Sequence, residues 1–312
     1  MAVDARKELR REDPTGEFVR NSSCVARTAT GQMTLVSADG MSLGGMWYGN
    51  IPGRNEQLRM GFMRNAWKKW EALPEEVRRP GGVKLGAASN KIDTTRTPHK
   101  VPPGALVVRV YNRQLEPDGK GGLRYTEPDD YPEGHRRNTP RYRESAQDFM
   151  WVPEREWRAM IPAQAKQNES FDAPESFRAR VFRFHLDPCR GLGEGVTFGH
   201  CDADAGRITL TVEGVTRDSI RLRIDGAAKL DNRKTSYAPT LLGYLTYDRS
   251  TKQVSEFRMV ALGTVDNTPR GVRPGKHPLG IAFEYVAKPR PSELVHPRGA
   301  RDGLEEYLAG KR

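Results

Sequence analysis

Leu241-Leu-Gly-Tyr-Leu-Thr-Tyr-Asp248 and Val254-Ser-Glu-Phe-Arg-Met-Val-Ala-Leu-Gly263, joined by Arg249-Ser-Thr-Lys-Gln253, form the stretch that decides the fold. Both arms are rich in aromatic and branched residues and the connector is made of turn formers, so propensity and turn chemistry agree on a β-hairpin. In the second arm Phe257, Met259 and Ala261 share one face while Glu256 and Arg258 take the other, the period of two expected of a strand with one wet side. A two-stranded ribbon cannot bury its apolar face by itself, so neighbouring strands must come from the flanking sequence.

Working outward, Ile208, Leu210 and Val212 alternate with threonines, and Ile220, Leu222 and Ile224 with Arg221 and Arg223. Leu279, Ile281, Phe283 and Tyr285 repeat the pattern, and Phe182, Phe184 and Leu186 alternate with Arg183 and His185. With the run Leu106–Val110 these make about seven strands, which predicts an α+β chain built on a mostly antiparallel β-sandwich or barrel. Short helices are expected near 153–160 and 302–308. The segment 114–147, crowded with Pro, Asp, Arg and Tyr, shows neither period and reads as one long loop.

Ahead of this domain, residues 31–44 read as strand, Asp39-Gly40 turn and strand. A helix follows from Asn55 as N-cap to about Leu73, stopped by Pro74. Phe62, Met63, Ala66, Trp67, Trp70 and Leu73 recur on one face at helical spacing, which reads as a packing stripe. Residues 1–77 are thus a small hairpin-and-helix unit, 78–104 a Gly-, Pro-, Lys- and Thr-rich linker, and 105–312 the β domain. The hairpin bearing Ser37-Ala-Asp-Gly40 and its helix resemble the C-terminal half of a thioredoxin fold. The chain holds no C-x-x-C, so the resemblance implies no redox chemistry. Residues 105–290, through Leu241–Asp248, Val260–Gly263 and Arg273-Pro-Gly-Lys-His-Pro-Leu-Gly-Ile-Ala-Phe-Glu284, resemble a family of bacterial hypothetical proteins to which no activity attaches. In that family a His-Trp pair follows the Ala-Leu-Gly, where this chain has Thr264-Val265.

The formal charge of +11 raises the question of nucleic acid, but acidic residues are interspersed throughout and no basic tail exists, so an ordinary basic surface is expected. No run approaches the roughly 18 apolar residues of a membrane span. Charged residues occupy the first twenty positions, where a secretory signal is apolar. The chain as written therefore reads as cytoplasmic, or as exported if its true start lies upstream. Three cysteines, Cys24, Cys189 and Cys201, suit a reducing compartment.

Reactive side chains are densest at His185, Cys189, His200 and Cys201. Four nitrogen and sulfur donors could satisfy tetrahedral zinc if the chain turns at Gly199, and Cys189 with Cys201 could instead pair as a disulfide; isolated thiols are the plainer reading. A Cys-His-Asp hydrolase would draw on Cys24 or Cys201 with His135, His200 or His277. Tyr125, Tyr131 and Tyr142, interleaved with Arg136, Arg137, Arg141 and Arg143, have the ingredients of a binding loop, countered by the acids among them. No motif implies a cofactor. The expectation is a β-rich binding or accessory protein, not an enzyme, with a protein or small-molecule partner. Its rivals are a hydrolase or metalloenzyme on the His185–Cys201 cluster and a barrel holding an apolar ligand.

Overall fold

A computed structural model describes residues 11–21, 32–47, 55–83, 100–130, 146–188, 196–201, 203–266, 275–297, 299–300 and 303–310. The chain divides into two compact units, Met1–Lys100 with Pro289–Val295 and Val101–Lys288 with His296–Arg312. The division falls inside 78–104, of which 84–99 lie outside the described residues.

In the first unit, helix α1 (Pro14–Asn21) starts with Pro at its first turn, where the missing N–H costs nothing, and Asp13 Oδ1 accepts the Gly16 N–H at 3.0 Å. Strands β1 (Gln32–Val36) and β2 (Ser42–Trp47) pair antiparallel with an irregularity at Leu35/Val36. The Ser37 hydroxyl closes the turn on Met41, and Gly40 takes a φ of 86° that a side chain would resist. Helix α2 (Asn55–Glu71) lies against this hairpin, since a Cβ added at Gly44 would stand 3.2 Å from the Phe62 ring. A short α3 (Glu75–Arg78) follows Pro74. The expected packing stripe is only partly used: Ala66 is buried and Phe62 and Trp70 half-buried, whereas Met63 and Trp67 are 48% and 57% exposed. A ribbon of two strands is narrow, and it covers one edge of the stripe and leaves the other in solvent.

The second unit holds β3 (Leu106–Pro117), β4 (Leu123–Tyr125), β5 (Ala146–Val152), helix α4 (Glu154–Ala159), β6 (Ser170–Asp172) and helix α5 (Glu175–Arg180). Then come β7 (Gly206–Val215), β8 (Ser219–Ala228), β9 (Leu230–Asp231), β10 (Ser236–Asp248), β11 (Gln253–Asp266), β12 (His277–Tyr285) and helix α6 (Leu304–Ala309). The strands form one 10-stranded antiparallel sheet in the order β4, β3, β12, β11, β10, β8, β7, β6, with β5 also on β3 and β9 on β10. Its centre is the hairpin read first, with Leu241 opposite Ala261 and Leu245 opposite Phe257, all buried. At its turn Asp248 Oδ1 accepts the Ser250 and Thr251 N–H groups at 2.8 and 2.9 Å.

Two expectations are corrected here. Phe182, Phe184 and Leu186 are not on a strand: α5 continues into a π-helical turn, Val181–His185, closed by the Leu186 N–H on Val181 O at 2.8 Å. Alternation misled because Arg183 and His185 are buried as fully as the phenylalanines, so no wet face exists. The segment 114–147 is also not all loop, since β3 runs to Pro117 and β4 lies within it. Phe177, Phe182, Leu186, Phe198 and Trp157 fill the space above the sheet's inner face, each worth about 1.5–3 kcal/mol or more by burial.

Candidate functional site

Of the His185–Cys201 group, Cys189 lies outside the described residues, His200 and Cys201 adjoin, and His185 stands apart on Tyr307. The chain turns through 197–200, as a shared site would need, with the Cys201 N–H on Phe198 O at 2.9 Å. The turn leaves Cys201 Sγ 3.9 Å from His200 Nε2 but buries one side chain and exposes the other. Cys201 is a buried, reduced thiol, whereas the His200 ring is exposed and its Nε2 meets Asp231 O at 2.7 Å. His185 is fully buried with Nε2 2.8 Å from the Tyr307 hydroxyl, which accepts the Trp151 N–H at 3.0 Å. Burial pushes the Tyr307 phenol well above its usual range, so it stays protonated, with His185 Nε2 and Trp151 O both within reach of its hydroxyl. Among the described residues no three His, Cys, Asp or Glu side chains come together in a way that would hold a metal.

The groups around this histidine tie the C-terminal helix to the core. Arg180, fully buried, meets both oxygens of Glu156 at 3.1 and 2.8 Å, donates to Tyr307 O and lies 4.6 Å over the Tyr307 ring. Burial opposes its charge, but the Glu156 carboxylate outweighs that and holds its pKa above the ordinary value. Arg183 donates to Cys201 O at 3.1 Å and to Glu306 at 2.8 Å. Neither arginine belongs to the basic surface; both are internal clamps. A buried pair of this kind specifies geometry more than it adds stability.

Of the expected binding loop, Tyr125 alone is described, and Tyr131, Arg136, Arg137, Arg141, Tyr142 and Arg143 lie outside the described residues. The Tyr125 ring is exposed and stacks on the Arg113 guanidinium at 3.6 Å. The inner row of β3 changes character nearby: Leu106, Val108 and Val110 give way to Asn112, Gln114 and Glu116, all buried. Asn112 donates to Asp187 O at 2.7 Å, and the Asp187 carboxylate takes the Thr197 hydroxyl at 3.0 Å. Asn112 thus holds Asp187, and Asp187 in turn holds Thr197 at the other end of the intervening segment.

An open cleft of about 270 Å³ lies at the other end of the inner face, lined by Trp157, Arg158, Ile161, Pro162, Ala163, Ile220, Tyr247 and Arg249. Strand pairing builds its floor, since Ile220 and Tyr247 are register partners of β8 and β10. Helix α4 supplies the wall: Pro153 starts it, Trp157 anchors to Gly104 O at 2.9 Å, and the Trp157 and Tyr247 rings stand 6.5 Å apart. Two guanidinium groups reach the cleft. Arg158 lies 4.5 Å over the Trp157 ring and is neutralised by Glu154 at 2.7 Å. Arg249 bonds Thr216 O, a neutral acceptor, at 3.0 Å, and no carboxylate among the described residues compensates its charge. A floor of Ile220 and Tyr247, a lining whose exposed surface is more polar than apolar, and one cation without a carboxylate partner among the described residues suit a small ligand with a flat body and an anionic end.

No family model, curated protein or solved structure matches this chain. The resemblances drawn from its sequence therefore rest on the quoted residues alone. Arg158 and Arg249 carried no sequence signal, because the cleft brings together a helix and a hairpin turn some ninety residues apart in the chain. The helix at its wall did carry one: Pro153-Glu154 starts it with an acid in the first turn, favourable to the dipole.

Proposed function

We propose that the second unit is a binding module whose cleft takes a small apolar carboxylate, free or as one residue of a protein partner. The observation that carries this reading is Arg249, a cation without a carboxylate partner among the described residues, at the mouth of a cleft floored by Ile220 and Tyr247. At about 270 Å³ the space lies near the lower end of ligand pockets, which fits a single ring or side chain. Zinc chemistry on the His185–Cys201 group gains no support among the described residues, where His185 meets Tyr307 and no three such ligands converge. An apolar ligand inside the sheet gains none from an inner face already filled by aromatic residues.

Titration calorimetry with benzoate and with neutral benzamide tests it. Benzoate should bind at least tenfold more tightly, and Arg249→Gln should remove that preference, since a charge-assisted hydrogen bond is worth about 1.5–3 kcal/mol. Equal binding of the two probes, binding of neither, or an unchanged preference in Arg249→Gln would overturn the reading.

A further inference from the structure

Helix α2 carries an apolar ridge that the hairpin packed against it does not cover. Met60, Met63 and Trp67 are 48%, 48% and 57% exposed and stand at three- and four-residue spacings, so they line one side of the helix. Arg64 and Lys68 follow Met60 at steps of four and border that ridge. Both are exposed, and among the described residues neither pairs with a carboxylate. Glu71, at the end of the ridge, accepts the Trp67 indole N–H at 2.7 Å.

The shape and the charge of this surface together identify what it meets. From Met60 to Lys68 the ridge runs about 12 Å, a convex strip of two turns. A folded partner would gain from it far less than the roughly 800 Å² that a stable interface takes from each side. Two turns are also too short for a helix that pairs through repeated heptads. Nucleic acid needs stacking platforms, yet the Trp67 ring is already packed on Trp70 with centroids 4.7 Å apart, and the Glu71 carboxylate at its edge repels phosphate. The methionines offer a base no ring. A bilayer makes none of these demands. Its surface yields to a convex row, so Met and Trp side chains can sink into the headgroup boundary while Arg64 and Lys68 stretch along it and keep their charges at the lipid phosphates. Tryptophan is enriched at that boundary, and a chain of net charge +11 is drawn to an anionic leaflet.

We infer that the exposed face of α2 is a peripheral membrane contact, in which Met60, Met63 and Trp67 enter the headgroup layer of an anionic bilayer and Arg64 and Lys68 hold its phosphates. Flotation of the full chain with vesicles of phosphatidylcholine, alone or mixed with phosphatidylglycerol, tests it. The chain should partition about tenfold or more in favour of the mixed vesicles. Each cation near such a surface contributes about fivefold, so Arg64→Gln with Lys68→Gln should lower that partition about tenfold or more. Met63→Asp, at a position that already faces solvent, should lower it as far with the far-ultraviolet spectrum unchanged. The paired glutamine variant leaves the ridge itself intact and supplies the reading should the aspartate disturb the helix. Arg217→Gln with Lys252→Gln, the same loss of charge on exposed positions of the second unit, should change the partition less than about twofold. Equal partition into both vesicles, partition into neither, or a loss in the second-unit variant as large as that in α2 would overturn the inference. So would a partition that survives Met63→Asp in a folded chain, or a chain that ignores vesicles and instead retains polyglutamate or a single-stranded oligonucleotide through Arg64 and Lys68.

Discussion

Met60, Met63 and Trp67 recur at helical spacing on α2 just as Phe257, Met259 and Ala261 recur at strand spacing on β11, yet the first three are about half exposed and the second three are buried. The patterns are equally regular, so periodicity alone does not decide burial. What differs is the number of neighbours. Strand β11 has β10 and β12 on its two edges and the α5 aromatics over its inner face, with the Phe177 and Phe257 rings edge-on at 6.2 Å. Helix α2 lies against a two-stranded ribbon, with Ala66 buried and Phe62 and Trp70 half-buried. The exposed remainder settles for local contacts: Trp67 stacks on Trp70 at 4.7 Å and donates its indole N–H to Glu71 at 2.7 Å.

Truncating the buried member of each pattern tests that contrast most sharply. Phe257→Ala should cost about 3–5 kcal/mol, because the ring is lost from a site whose walls are held by two neighbouring strands and a helix. Denaturant titration should show the midpoint falling with little change in slope. A loss under 1 kcal/mol would mean that the hairpin face is not core, and the contrast with α2 would collapse.

The exposed counterpart should respond far less. Trp67→Ala removes one ring stack and one solvent-accessible hydrogen bond, for a cost of about 1 kcal/mol or less, read by circular dichroism so that the lost indole does not affect the signal. A loss above 3 kcal/mol would show that this stripe is buried in solution.

The same physics explains how far the sequence could be read. The hairpin around Leu241–Gly263 and the runs at Ile208, Ile220 and Leu279 were legible because each strand has one wet and one dry side, and that contrast is written into residue type. Phe182–Leu186 was misread because the contrast is absent there: Arg183 and His185 are as buried as the phenylalanines, satisfied by Glu306 and Tyr307, which lie over a hundred residues away. Strand β5, Ala146-Gln-Asp-Phe-Met-Trp-Val152, escaped for a related reason, being buried almost throughout with no alternation to detect. The cleft was the least legible part. Trp157 could be named as an anchor, but its partners Tyr247 and Arg249 join it only once β8 and β10 are in register. Chemistry that depends on distant pairing leaves no local trace.

The smallest expected effect concerns the turn that closes the central hairpin. Hydrogen bonds from the Ser250 side chain and from the Thr251 and Ser250 N–H groups hold the Asp248 carboxyl below its usual range. A carboxyl whose folded pKa is depressed contributes stability that is complete above its unfolded value, about 3.9, and is lost as pH falls through the lower folded value. The stability gap between the natural chain and Asp248→Ala should therefore be constant from neutral pH to about pH 5 and narrow below about pH 4, where the carboxylate is titrated. Because the carboxylate remains in contact with water, the gap should be far smaller than that of Phe257→Ala, as expected if buried faces and not turns hold β10 and β11 together. A gap that widens on acidification would reverse the assigned sign, and one rivalling Phe257→Ala would move the weight of the hairpin from its packed face to its turn.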